Sequence, residues 1–330
     1  MGGGPHRQEL ARGAPGMTPT VLVVAGPTAS GKSALALALA ERFDGTLVNA
    51  DSMQLYRELA VLTARPDAAS FARVPHRLYG VLDAAERCSA ARWRAMAEPA
   101  IDEALAAGRL PILVGGTGLY LRALMTGLAD VPPVPEPTRA ALSKRLAIVG
   151  APAMHAELAL GDPATAARLE PNDRQRILRA LGVLEATGRP LSAWLATAPV
   201  ADGGRRHRYL AYVLDPPRPA LYAACDARLA AMLDAGVLEE VAALLARRLD
   251  PGLPAMKAIG LQEFARHLAG RCDLASALAA AQQATRRYAK RQVTWFRNQL
   301  TDAIRIQDDP ASEQFLERFF HEIFSKICRL

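Results

Sequence analysis

The sequence predicts an α/β protein: a P-loop parallel sheet flanked by helices, carrying a mainly helical insertion domain. Three observations lead there. The apolar run Val21-Leu22-Val23-Val24-Ala25 feeds a glycine turn that opens an Ala- and Leu-rich helical stretch, Ala34 to Phe43. Two more short apolar runs, 46–50 and 110–114, each end in a polar or glycine-rich loop. Alternation of strand and helix in this manner implies parallel strands covered on both faces. The texture then changes at Val131-Pro132-Pro133-Val134-Pro135-Glu136-Pro137, where proline removes donors and fixes φ, marking a boundary.

Taken in order, residues 1–18 read as a flexible Gly- and Pro-containing extension, and 19–130 as the first part of the core. The core includes a helix from Leu119 to about Thr126. Residues 131–207 form the insertion, with helical patterns over 138–148 and 173–187 and a loop Gly203-Gly204-Arg205-Arg206-His207-Arg208 at its end. The chain rejoins the core at the strand-like Tyr209-Leu210-Ala211-Tyr212-Val213-Leu214. Long helices follow over about 218–247, 260–270 and 274–300, so the return spans 208–308. Within the extension 309–330, the stretch Phe315 to Leu330 alternates acids, aromatics and bases and reads as a surface helix.

Composition sets ordinary bounds. A chain of 330 residues with 51% apolar content supports about two domains and a sizeable core. Cys88, Cys225, Cys272 and Cys328 are widely spaced, which fits free thiols in a reducing compartment better than a zinc site or disulfide framework. The histidines show no metal spacing. No apolar stretch is long enough to span a bilayer, and no signal core follows Met1, so a cytoplasmic protein without membrane association is expected. The formal net charge of +7 is modest, and its placement decides its meaning.

The chemistry begins at Gly26-Pro27-Thr28-Ala29-Ser30-Gly31-Lys32-Ser33, which reads G-x-x-x-x-G-K-S between a strand and a helix. Backbone N–H groups of such a turn converge on an anion, Lys32 adds a positive charge, and Ser33 can join the shell of a Mg²⁺ ion. The pattern is that of nucleotide- and ATP-binding loops. In parallel sheets ligands collect beyond the carboxyl ends of strands. Three strands therefore deliver the P-loop, Asp51 and Thr117 to one edge. The run ending at Val114 leads into Gly115-Gly116-Thr117-Gly118 instead of the second acid many P-loop ATPases use for Mg²⁺. Nucleotide hydrolysis is thereby disfavoured as the central activity.

Six ordered blocks carry a resemblance. G-P-T-A-S-G-K-S, N-A-D-S-M-Q-L-Y (Asn49 to Tyr56), P-H-R-L (Pro75 to Leu78), L-V-G-G-T-G-L-Y (Leu113 to Tyr120), P-N-D-R-Q-R (Pro171 to Arg176) and A-K-R-Q-x-T-W-F-R (Ala289 to Arg297) resemble the tRNA dimethylallyltransferase family from about residue 20 to 300. The resemblance implies transfer of a dimethylallyl group from dimethylallyl diphosphate to N6 of the adenosine 3′ of the anticodon. Diphosphate would sit on Gly26 to Ser33, with Arg228 as a second cation and Mg²⁺ on Ser33. Without the resemblance, Arg228 would read as a solvated helix arginine.

An exocyclic adenine amine is a poor nucleophile that loses a proton as its new bond forms, so a carboxylate beside it is expected. Asp51 fits that general base, and Thr117 would face the reacting centre. The residues alone also allow Asp51 as an N-cap or metal ligand and Thr117 as a helix N-cap. A base in a loop leaves its stack at a cost of a few kcal/mol, which makes anticodon-loop RNA a suitable acceptor. The resemblance places Asp51, Ser52, Met53, Gln54, Thr117, Arg139, Gln175, Arg176, Ile177, Leu178, Arg179, Lys257, Gly260 and Gln262 on the tRNA anticodon stem-loop. Leu261 departs from the aromatic residue many relatives carry there.

Independently of the family, Arg286, Arg287, Lys290, Arg291 and Arg297 form a basic run without an acid between Thr285 and Asn298. Arg286, Lys290 and Arg297 share a helical face, and Tyr288, Trp295 and Phe296 are interleaved as stacking platforms or core contacts. A monomer is expected. Two alternatives stay open at this point: a P-loop kinase of a nucleoside or small metabolite, and a non-enzymatic RNA-binding module that uses its P-loop as a switch.

Overall fold

A computed structural model describes residues 18–197 and 206–328. The extension read over 1–18, all but its last residue, lies outside the described residues, as do Gly203 to Arg205 and the end of the extension 309–330.

Six parallel strands make one sheet: β1 (Thr20–Ala25), β2 (Gly45–Asn49), β3 (His76–Arg77), β4 (Leu110–Gly115), β5 (Arg208–Leu214) and β6 (Ile304–Ile306), in the order β3-β2-β4-β1-β5-β6. β1, β2 and β4 are buried along their whole length. Central strands of a parallel sheet face helices on both sides, which is why they read as unbroken apolar runs. Successive side chains alternate between the faces. Leu22, Val24, Ile112, Val114 and Tyr212 join one core and Val21, Val23, Ala25, Leu113 and Val213 the other.

The first core segment carries α1 (Lys32–Arg42), α2 (Ala68–Arg73), α3 (Ala90–Ala106) and α4 (Gly118–Met125). Leu35 and Leu39 of α1 cover the first face, and Trp93 and Ile101 of α3 the second. The chain divides into two compact units: Met1–Met125 with Arg205–Leu330, and Thr126–Gly204.

The smaller unit holds α5 (Glu136–Gly161), α6 (Pro163–Ala166), α7 (Arg174–Thr187) and α8 (Leu191–Ala196) around its own core of Leu142, Met154, Leu158, Ile177 and Leu181. The helix expected over 138–148 continues to Gly161 through a break at Gly150, whose φ of 78° is not helical and which lies two residues before Pro152.

The return to the larger unit supplies α9 (Arg218–Asp234), α10 (Val237–Ala246), a 3₁₀ turn (Ala255–Lys257), α11 (Leu261–Leu268), α12 (Leu274–Gln299) and α13 (Glu313–Cys328). The single helix expected over 218–247 is two, because Gly236 takes φ 87° between α9 and α10. The C-terminal surface helix also needs correction. Phe315, Phe319 and Ile323 of α13 recur every four residues and are buried on the sheet with Tyr212 and Phe43. The acids and bases that made the segment look superficial occupy its other side. Among the described residues no helix is long and apolar enough to cross a membrane.

Candidate active site

β1 ends at Ala25 and the chain turns sharply. A Cβ on Gly26 would lie 2.8 Å from Ser30 Oγ and 3.1 Å from the Leu214 carbonyl, so the turn packs directly on the end of β5. Ala29 at φ 61° and Gly31 at φ 84° take the left-handed conformation that bends the backbone around a central hollow. α1 then begins without a side-chain N-cap. Its first amides have no intrahelical acceptor. They border a cavity of about 310 Å³ lined by Thr28 to Ala34 with Asp51, Gln54, Thr63 and Arg228. A helix N-terminus and a turn of backbone donors at one point constitute an anion site.

Two cations are held there. Lys32 Nζ donates to the Pro27 carbonyl at 3.3 Å, and burial pushes its ammonium down to about 8, with Asp51 opposing the shift and Arg228 adding to it. Arg228 reaches over from α9 to donate to Thr28 Oγ1, and burial lowers its guanidinium as well. Arg228 Nε and Ser30 Oγ are buried with no hydrogen-bond partner among the described residues. Two cations partly stripped of water, plus unpaired polar atoms, favour a ligand with more than one negative charge.

Asp51 stands beyond the end of β2, and Asn49 shapes its setting. Asn49 is fully buried; its Oδ1 accepts from the Asp51 amide at 2.8 Å and its Nδ2 donates to the carbonyls of Asp51 and Leu78, each at 3.0 Å. Trp93 Nε1 donates to the Asn49 carbonyl at 2.9 Å. One Asp51 oxygen accepts from the Met53 amide at 3.0 Å in a turn that starts no helix, so the N-cap reading of Asp51 fails. The Asp51 charge reaches Lys32, and after burial it is the next cause raising the Tyr288 and Tyr79 hydroxyls.

Asp51 lines two cavities. Besides the P-loop hollow it borders one of about 240 Å³ shared with Thr28, Ser52, Met53, Arg228, Lys257 and Tyr288. The strand-end placement read from the sequence thus brings the carboxylate and the anion cradle together. Thr117 is placed differently. Its Oγ1 accepts from the Ser52 amide at 2.9 Å and donates to Ser52 Oγ at 3.3 Å, so although its carbonyl accepts from the Tyr120 amide at the start of α4, its side chain is turned to Ser52. The hydroxyl positions the segment that follows Asp51.

Gln292 went unnoticed in the sequence. On α12 and only 5% exposed, it accepts from the Thr28 amide through Oε1 at 2.8 Å and donates through Nε2 to the Gly116 carbonyl at 2.9 Å. It therefore ties the P-loop to the loop bearing Thr117. A Cβ on Gly116 would fall 2.3 Å from Gln292 Nε2, and one on Gly118 2.1 Å from the Trp295 ring. The Gly-Gly-Thr-Gly run is small because α12 lies on it. The available signal was its place in the A-K-R-Q-x-T-W-F-R block.

The RNA candidates divide. Lys257 lines the Asp51 cavity; Gly260 takes φ 93° at the start of α11, and Gln262 Nε2 donates to the Met256 carbonyl at 3.4 Å. Gln54 Nε2 is committed to the carbonyls of Thr63 and Ala64, at 2.9 and 3.1 Å. The basic run is less free than its sequence implied. Arg286 grips both oxygens of Asp226 at 2.6 and 2.7 Å, and Arg297 pairs with the buried Asp215 at 3.2 Å. Arg287, Lys290 and Arg291 remain exposed. Phe296 belongs to the core, Trp295 covers Gly118, and Tyr288 borders the cavity.

In the smaller unit Arg139 pairs with Glu136 and Arg176 with Asp173, and Gln175 and Arg179 are exposed. Ile177 needs correction: it is fully buried beside Leu142 and Met154, and Leu178 packs partly against the same core. The arginines alternate with these apolar positions because α7 is amphipathic.

A parallel sheet with a cradle for a multiply charged anion, opening on a half-buried carboxylate, defines a P-loop protein built to bind a phosphorylated ligand. Comparison with known proteins narrows this. An IPP transferase family model matches residues 54–299 and an isopentenyl transferase model residues 19–84. The tRNA dimethylallyltransferase of Rhodospirillum centenum is 59% identical over 90% of this chain and 94% of its own length, and that of Rhodospirillum rubrum 58% over 87% of each. Among solved structures, the tRNA isopentenylpyrophosphate transferase of Bacillus halodurans superposes with a TM-score of 0.67 at 32% identity, over 94% of this chain and 97% of that one. A eukaryotic dimethylallyltransferase acting on tRNA gives 0.77 at 26% identity, over 92% and 77%. The chain belongs to the IPP transferase family.

Proposed function

We propose that the protein transfers the dimethylallyl group of dimethylallyl diphosphate to N6 of the adenosine 3′ of the anticodon in tRNA. The observation that carries this is the meeting of Asp51, Lys32 and Arg228 in the P-loop hollow, with Asp51 and Arg228 also bordering the second cavity. The donor's C1–O bond breaks and its electron pair leaves with the diphosphate, where Lys32, Arg228 and the P-loop amides neutralise the charge that builds. The C1–N6 bond forms as the amine gives its proton to Asp51. Thr117 and Asn49 hold the Asp51 segment in place for that transfer.

Mg²⁺ fits the donor set. This ion keeps several waters and needs one or two protein oxygens besides phosphate. Ser33 and Asp51 line the same hollow, and no group of three His, Cys, Asp or Glu is needed or found among the described residues. Ser33 would hold the ion, which supplies further charge neutralisation on the leaving group.

For the tRNA, Ser52, Met53 and Lys257 border the cavity that would admit the adenine, with Gly260 and Gln262 close in sequence to Lys257. Lys290, with Arg139, Arg176 and Arg179 of the smaller unit, supplies phosphate contacts. With tRNA as substrate, the cytoplasm is the proposed site of the reaction.

The test is nucleoside mass spectrometry of tRNA incubated with protein and donor. Prenylated adenosine is the expected product, and ATP consumption with unmodified RNA would favour a kinase. Asp51→Asn should keep tRNA affinity while losing about 10²–10⁴ in turnover, the usual worth of a general base. Wild-type turnover in that variant refutes the assignment.

A further inference from the structure

Two cavities adjoin at α9. The cavity of about 240 Å³ that holds Asp51 has an apolar part to its lining, made by Leu62, Leu229, Met232 and Ile259. The other, open and about 720 Å³, is walled by Val61, Phe71, Ala231 and Ala235 among others. Among the described residues only Arg228 and Met232 border both, so these two side chains stand in the partition. They are one helical turn apart on α9 and share its face. Arg228 is tied to Thr28 on the phosphate side. Met232, 5% exposed, is the apolar part of the wall.

We propose that Met232 limits the length of the prenyl donor by closing the apolar end of the Asp51 cavity. This rests on the prenyl-transfer reading of the site. The smaller cavity must receive the donor's hydrocarbon and the acceptor's amine together, so any added isoprene unit is driven against α9. Met232→Ala removes the three heavy atoms beyond Cβ and joins the two spaces. A ten-carbon chain then runs past Arg228 into the larger cavity, while its diphosphate stays on the P-loop. The reaction is unchanged: C1–O breaks, C1–N6 forms, the N6 proton goes to Asp51 and diphosphate leaves.

The experiment compares kcat/KM of the full chain for dimethylallyl and geranyl diphosphate with tRNA as acceptor. Met232→Ala should raise the geranyl-to-dimethylallyl ratio by at least about tenfold, since single methylenes in apolar pockets discriminate on that scale. Ala235→Phe added to it refills the larger cavity and should reverse the gain. Met232→Val, a milder truncation, gives the same comparison if the alanine variant does not fold. An unchanged ratio in variants that still transfer dimethylallyl overturns the proposal and leaves the prenyl-transfer reading standing. Equal use of both donors by the wild type also overturns it, and a wild type that transfers neither removes the underlying reading as well.

Discussion

Replacing Gln292 with methionine deletes both amide hydrogen bonds at nearly constant volume. The Oε1 bond to the Thr28 amide is 2.8 Å and the Nε2 bond to the enclosed Gly116 carbonyl is 2.9 Å. Leaving a buried partner unpaired costs about 1–3 kcal/mol, and the half-buried Thr28 amide takes the lower end, so the pair is worth about 2–4 kcal/mol. At roughly 2–4 °C per kcal/mol for a large domain, the melting midpoint should fall by about 5–15 °C. Catalysis should suffer separately, because the two partners sit on the donor loop and beside Thr117. Gln292→Glu sharpens the test. One carboxyl oxygen can still accept from Thr28, but the other would face the Gly116 carbonyl, so only the protonated form reproduces the clamp. A carboxyl raised in this way binds its proton more tightly in the folded state, so stability and turnover recover as the pH falls from 8 towards 6. Urea denaturation and transfer of labelled donor to tRNA, run on all three proteins at both pH values, decide the matter. A methionine variant with wild-type midpoint and kcat/KM, or a glutamate variant insensitive to pH, refutes the clamp.

Three further predictions follow from the same geometry. Lys32, lowered from 10.5 to about 8, gives opposite signs for stability and activity. Between those values the unfolded chain binds more protons, so stability rises with pH across that window, and Lys32→Met abolishes the rise. Free-enzyme kcat/KM for the donor instead falls above pH about 8 as the cation is lost, while kcat holds to higher pH because bound diphosphate retains the proton. An alkaline limb identical in both profiles contradicts this. Gly115→Ala places Cβ 2.2 Å from the Ala50 carbonyl carbon, backbone on the paired strand side, and should cost at least about 1–3 kcal/mol by denaturation. Lys290→Ala should weaken tRNA binding and flatten its salt dependence by about one unit of slope without altering the denaturation midpoint. Arg286→Ala should also lower the midpoint, because Asp226 loses its partner; equal midpoints for the two would count against the ion pair's structural role.

Much of the site was legible because it is local. A strand, a Gly-x-x-x-x-Gly-Lys-Ser turn and a helix within some twenty-five residues dictate an anion cradle through backbone geometry alone. Strand ends in a parallel sheet share an edge, which places Asp51 and Thr117 near it. The basic run was legible as charge but not as availability, since the acids that hold Arg286 and Arg297 lie on α9 and after β5. Ile177 was carried along by arginines on either side of it in the chain, although helical geometry turns it inward.

The order of residues by itself determined the strand ends, the phosphate loop, the acidic residue beside it and the family. Tertiary structure alone decided which side chains complete them. Gln292 meets Thr28 across 264 positions, Arg228 meets the same residue across 200, and Met232 acquires a role only because two cavities flank α9. Backbone conformation is set by near neighbours, whereas a hydrogen bond or a cavity wall depends on packing that no short-range pattern encodes.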